Sequence, residues 1–407
     1  MTDPTTPMVT STSTSHQNLV ARTVLVPLHG ELLDRADPDG FTWLRDGSGF
    51  VAGGVAAEVP ACDAEARLRD IEVHDDVHRP GSGAIAVGSL PFLGAATATV
   101  TIPAWVEGRA ADGTRWRTEI GRRDAPSAPP ARATAPMTSP GTTRTRCLTS
   151  HEHWFHAVES VLAAIGAGEV TKVVLARTVQ VEAARAIDPR WLLGRLQARE
   201  PGRYLFAHAG SVGASPELLV SRAGPEVLAR PLAGTVPWPA EEHAIEARMH
   251  SGKHHREHAI VVNALAATLS ALCSDLDVGL PVALRLADVA HIATTVRARA
   301  GMDTPGALGL ALALHPTPAV GGTPTPRALE YIARAEPHGR GRFAGPVGWV
   351  DARGDGEIAV ALRSAEIDGT TALVRAGAGI VSGSDPRAEW DEIDAKLTPV
   401  LRALTRR

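Results

Sequence analysis

Lysine is almost missing from this chain. Of 41 basic residues among 407, only Lys172, Lys253 and Lys396 are lysine and the other 38 are arginine. Arginine stays protonated, whereas a buried lysine can release its proton and act as base or nucleophile. Each lysine is therefore a candidate for chemistry, with chance survival under a GC-rich codon bias as the plainer explanation. Cysteine is as scarce: Cys62, Cys147 and Cys273 are too few and too scattered for a disulfide framework or a zinc spacing. A net charge of −4 with both signs interspersed leaves no basic stripe for nucleic acid. There is no membrane segment, and residues 1–18 lack the basic start and apolar stretch of a signal peptide. Rich in Thr, Ser and Pro, they read as a disordered tail on a cytoplasmic protein.

What is present suffices for a large core, since 44% of residues are hydrophobic. Short apolar runs broken by glycine (GSGFVAGGVAAEV, GAIAVGSLPFLG, ATATVTIPAWVEG) predict a strand-rich part over 19–123. The stretch 124–143, rich in Pro, Ala, Ser and Thr, predicts a linker or long surface loop. From 144 to 407, helical patterns at Trp154 to Ile165, Arg190 to Arg199, Glu257 to Leu272 and Pro326 to Ala335 mix with strand-like runs. Those runs are KVVLARTVQV, YLFAHAG, LLVSR, EIAVALRSAEI and TALVRAGAGIV. The mixture predicts a layered α/β (α+β) fold.

Lys172 opens KVVLARTVQV, and alternation puts it on one face with Val174, Ala176 and Thr178. Small apolar neighbours disfavour an ammonium and would tune it toward a general base; a snorkelling strand-end lysine is the alternative. Lys396 follows Glu389 and Glu392 after the glycine-rich AGAGIVSGSDP. On a helix begun near Ser384 to Pro386 the three share a face at i, i+3 and i+7. Two carboxylates beside a glycine loop suit a hard cation such as Mg²⁺; a solvated face with an i,i+4 Glu392–Lys396 pair is the alternative. Lys253 lies in SGKHHREHAIVVNAL, where Glu257 begins a helix and the HExxH spacing that zinc would want is absent.

The ordered segments KVVLAR, GASPELLVS, RPLAGT, SGKHHREH, AHIATT, LHPTPAVGGTP, FAGPVGWVD, IAVALRSAEI and AGAGIVSGSDPRAEWDEIDAKL resemble the chorismate-utilising enzymes, and among them isochorismate synthase. The resemblance runs from about Trp154 to the C-terminus. It implies one large fold of two sheets with flanking helices and the active site in a cleft between them. It implies Lys172 as the base that takes a proton from water attacking C2 of chorismate, and Glu217 as the acid that protonates the departing C4 hydroxyl. It implies Glu257 and Glu392 as Mg²⁺ ligands, with Glu389 as a nearby or water-mediated partner. Arg363 is matched to the enolpyruvyl carboxylate, and Lys396, Gly377 and Gly379 to the ring-carboxylate end. His291, Thr294, Gly234 and Thr235 are matched to other parts of the pocket.

Lysine at position 172, where ammonia-using relatives carry glutamine, points to water as nucleophile. Isochorismate synthase is the favoured reading, with salicylate synthase as the alternative and an anthranilate synthase-like amination or a non-catalytic metabolite-binding relative behind it. Relatives of this kind suggest a monomer acting on a small molecule, with a product that feeds menaquinone or a siderophore. Three departures stand out: His254, Trp238 and Gly339 replace residues common in the family. The first removes an acid near the expected metal and puts metal affinity and rate in question.

Overall fold

In the computed structural model, residues 18–27, 30–124, 137–237, 252–285 and 289–405 are described. Most of the expected tail, positions 125–136 of the expected linker, Trp238, and the side chains of Thr235 and Lys253 lie outside them. The described residues build a thirteen-stranded, a nine-stranded and a three-stranded sheet. The resemblance implied two sheets; the third is small and forms one wall of the cleft.

At the centre of the catalytic half, strand Lys172–Ala183 runs antiparallel to Thr371–Ile380, in register from Val173 opposite Ile380 to Glu182 opposite Thr371. The β-branched residues of the first strand meet a run of alanine and glycine in the second, so one face of the pair is filled and the other kept shallow. On the filled face, Arg177 donates to Trp390 O and Asp394 Oδ1 of helix Pro386–Thr405. Asp385 caps that helix by accepting from Ala388 N at 2.8 Å. Helix His151–Gly166 is capped in the same way by Ser150, and Pro189–Gln197 by Asp188 followed by proline.

Strands from the first third of the chain are built into both large sheets. Phe41–Arg45 pairs with Tyr204–His208 in the thirteen-stranded sheet. Ile85–Ser89 pairs with Pro346–Asp351 in the nine-stranded one. Phe41, Trp43, Phe50, Tyr204, Phe206, Val347 and Trp349 form a single buried cluster between the sheets. Within it Trp43 stacks on Tyr204 at 5.3 Å and Phe50 meets Trp349 edge-on at 5.9 Å.

Two expected elements differ. The helix expected from Glu257 runs Gly252–Leu272, because nothing in Lys253–Arg256 breaks it, and Val261, Leu265 and Leu269 are its buried stripe. The run EIAVALRSAEI is two strands. Gly356–Val360 belongs to the nine-stranded sheet and Ser364–Asp368 to the thirteen-stranded one. Between them Arg363 takes a left-handed conformation, φ +52°, which turns the chain from one sheet to the other. No described helix is long and apolar enough to cross a membrane.

Candidate active site

The shallow face of the central strand pair is the floor of a cleft. Residues opposite each other on antiparallel strands share a face. Val174 lies opposite Gly379, Ala176 opposite Gly377, and Thr178 opposite Arg375. Lys172, two residues before Val174, therefore belongs to the same face. It is fully buried, yet its surroundings are not only apolar: Nζ lies 3.0 Å from Glu257 Oε1. The contact is an ion pair without good hydrogen-bond geometry, and Nζ has no hydrogen-bond partner among the described residues. A Cβ on Gly379 would fall 2.4 Å from Glu257 Oε1 and 2.8 Å from Lys172 Cε. Only glycine there leaves room for the pair.

The chain also crosses between the two large sheets at Pro216 and Glu217. This crossing and the one at Arg363 are bonded to each other: Ser215 Oγ donates to Val360 O at 2.6 Å, and Val360 N donates to Glu217 O at 3.1 Å. Glu217 and Arg363 thus reach the same cleft from adjacent irregular segments, where backbone freed from a ladder can aim a side chain. Glu217 is buried, and burial pushes its carboxyl up to about 8 against the opposing pull of the Leu232 N–H, Lys172 and Lys396. It therefore carries its proton near neutral pH. Burial would raise the Glu257 carboxyl too, but Lys172 beside it, with Lys396 farther off, holds it below its ordinary value. Two glutamates in one cleft are set to opposite protonation states, the pattern of an acid paired with charge-stabilising groups.

Cations and donors line the remaining walls. His291 sits on strand Val289–Ala293 opposite Thr235. Burial, then Lys396 and Arg363, hold its imidazole well below the usual range, against a bond to the Gly234 backbone, so it is neutral. Arg363 donates to the carbonyl of Lys396. Lys396 Nζ donates to Gly377 O at 2.9 Å and to Glu392 Oε1 at 2.7 Å. The i,i+4 pair held open as an alternative in the sequence is formed, and Lys396 lines the cleft while making it.

Each lysine of the site is ion-paired with one of the two expected metal carboxylates, Lys172 with Glu257 and Lys396 with Glu392. No group of three or more His, Cys, Asp or Glu gathers for a metal among the described residues. The donors nevertheless suit Mg²⁺, which commonly binds through one or two carboxylates, with waters and substrate oxygens completing its shell.

The cleft is lined by Glu217, Gly234, Glu257, His291, Arg363, Gly377, Gly379 and Lys396 of the expected set. Lys172 and Glu392 touch it through Glu257 and Lys396. Thr294 is not among the lining residues, because its hydroxyl is engaged by His258 Nε2 at 2.7 Å; it ties strand to helix behind the wall. Glu389 is 2% exposed on the packed side of its helix and does not line the cleft either. Sequence reasoning missed Arg340 and Arg375, which both do. Arg340 forms a buried pair with Glu336 and donates to Val320 O and Val174 O. An acid four residues upstream thus serves Arg340 although Gly339 stands beside it. For Arg375 the signal was present: it is two residues before Gly377, and period two puts it on the floor.

The sequence pattern of the family described as chorismate binding enzyme matches residues 95–405. The MenF protein of Mycobacterium tuberculosis is 36% identical over 356 residues, covering 83% of this chain and 91% of that protein. Isochorismate synthase DhbC of Bacillus subtilis is 39% identical over 269 residues, covering 62% and 68%. Among solved structures, the menaquinone-specific isochorismate synthase MenF from Escherichia coli superposes with a TM-score of 0.82 at 26% identity, over 96% of this chain and 95% of that one.

Proposed function

The chain belongs to the chorismate-binding enzymes, and from that membership we propose that it converts chorismate to isochorismate. The observation that carries the reading is a buried lysine and a protonated glutamic acid at one cleft: Lys172 fully buried behind Glu257, which lines it, and Glu217 with its carboxyl near 8. The names of the relatives agree with it.

In this reading Lys172 first gives a proton to solvent and then takes one from the water that attacks C2. Glu217 gives its proton to the C4 hydroxyl, which departs as water. One water enters and one leaves, and Lys172 and Glu217 then exchange protons with solvent to reset. A carboxylate at position 217 could not serve as that acid, so the burial that raises its pKa is part of the mechanism. Arg363 and Lys396 hold the substrate's two carboxylates through charge-assisted bonds, neutral His291 offers a further donor, and Gly377 and Gly379 let the ring lie against the floor.

Mg²⁺ is the cofactor of this reading, with Glu257 and Glu392 as the residues that would hold it and Glu389 behind them. When bound it supplies positive charge against a substrate carboxylate. The reading also makes the protein a cytoplasmic monomer that acts on a small molecule without nucleic acid or membrane. The test is an assay of the purified protein with chorismate and Mg²⁺ in the absence of ammonia, with products separated and identified. Isochorismate as the product supports the proposal; pyruvate with salicylate would replace it by salicylate synthase, and no conversion by folded protein would overturn it.

A further inference from the structure

The floor of the cleft ends in a cation to which the resemblance gives no role. Arg375 is 5% exposed and lines the cleft on the face it shares with Gly377 and Gly379. One edge of its guanidinium is fixed: Nη1 donates to Glu366 Oε2 at 2.5 Å. Nε is buried with no hydrogen-bond partner among the described residues. Glu366 is itself clamped, because its other oxygen accepts from the Arg342 backbone N–H, and a Cβ on Gly341 would collide with it. The guanidinium is thus held by a carboxylate that is held in turn by backbone, on a residue that lines the cleft and has one uncommitted donor.

Arg363 lines the same cleft. Ala365 pairs with Val374 on adjacent antiparallel strands; Arg375 is one residue beyond Val374, and Arg363 is two residues before Ala365, in the segment that leads into that strand. Two guanidiniums at one end of a cleft, with Lys396 on Gly377 O farther along the floor, fit a dianion whose two charges are separated. Resting on the reading that the substrate is chorismate, we propose that Arg375 is a substrate-binding residue that forms a two-arginine clamp with Arg363 on the enolpyruvyl carboxylate. A carboxylate offers about four lone-pair sites and can accept from two guanidiniums at once. The competing role is structural: Arg375 would only neutralise Glu366 and steady the Arg340–Gly345 segment.

The experiment compares Arg375→Gln, Arg375→Lys, Glu366→Gln and the double variant Arg375→Gln/Glu366→Gln with the unmodified protein. The double variant removes the buried carboxylate together with its partner, so a folded protein is tested even if the single change leaves Glu366 uncompensated. The clamp predicts that Arg375→Gln raises KM for chorismate about tenfold to a hundredfold with kcat nearly kept, since a contact made equally in ground and transition states acts on KM. It also predicts a change in charge selectivity. An analogue esterified at the enolpyruvyl carboxyl competes far more weakly than the free acid against the unmodified protein, and that gap narrows about tenfold in Arg375→Gln and in the double variant. Arg375→Lys recovers part of it. An unchanged acid-to-ester ratio, with kcat and thermal stability falling alike in Arg375→Gln and Glu366→Gln, would overturn the clamp in favour of the structural role. Lack of turnover by the unmodified protein would instead sink the isochorismate reading, so the two failures are distinguishable.

Discussion

At the scale of single residues, the cleft turns on how burial acts on unlike groups. Glu217 and Glu257 are both withdrawn from water, but only Glu257 has an ammonium 3.0 Å away. One is therefore held protonated and the other charged, with no difference in residue type. Because Glu217, as the proposed acid, must carry its proton, kcat/KM is expected to fall on the alkaline side with an apparent pKa of about 8, read from a pH profile. The same group sets a stability trend. Its folded pKa lies above its unfolded value, so its contribution is intact below about 4.5 and is lost as pH rises through about 8. Glu217→Gln should gain Tm over the unmodified protein between pH 5 and 9, match it at pH 4, and lose kcat by ~10²-fold or more. Lys172→Gln keeps a polar group against Glu257, so it should fold normally and lose kcat by ~10²–10⁴-fold; retained activity would remove Lys172 from its role.

Elements explain why these residues meet. The sequence motifs located Lys172, Glu217, Glu257, Arg363, Gly379 and Lys396 because each sits in a recognisable local pattern. They did not reveal the sheet crossings at Glu217 and Arg363. EIAVALRSAEI alternates like one strand, and nothing local says that its halves pair with different sheets. The left-handed turn at Arg363 is decided by those distant partners, and so is the bond from Ser215 to Val360. Arg375 went unread for another reason: an arginine amid alanine and glycine is legible only once the strand's face is known to line a cleft. The Ala–Gly strand gives an element-scale prediction. Gly379→Ala would drive a methyl into the Lys172–Glu257 pair and should cut kcat/KM by about 10²-fold, the cost of a misplacement near 1 Å. Gly166→Ala, at an exposed helix end with nothing near the new methyl, should leave activity unchanged and stabilise the fold by up to ~1 kcal/mol, as measured by thermal melts.

For the whole molecule, the nine- and thirteen-stranded sheets share one aromatic seam, and the chain crosses between them at Glu217 and Arg363, so the proposed catalytic groups sit on a joint between layers. Strands from the first third of the chain supply Phe41, Trp43 and Phe50 to that seam, which ties the precision of the cleft to residues far from it in sequence. Trp349→Ala would empty the seam's nine-stranded side and should cost about 3–5 kcal/mol. Far-ultraviolet and tryptophan signals should lose stability together in denaturant titrations, because the seam belongs to both sheets.

The proposed reaction adds water to chorismate at C2 and expels the C4 hydroxyl, with Lys172 as the proposed base. Turnover of chorismate by the purified protein in ¹⁸O-enriched water, read by mass spectrometry and NMR of the product, tests it most directly. The account predicts isochorismate carrying one solvent-derived oxygen, at C2. Isochorismate whose hydroxyl oxygen is unlabelled, or no product from folded protein, would contradict it.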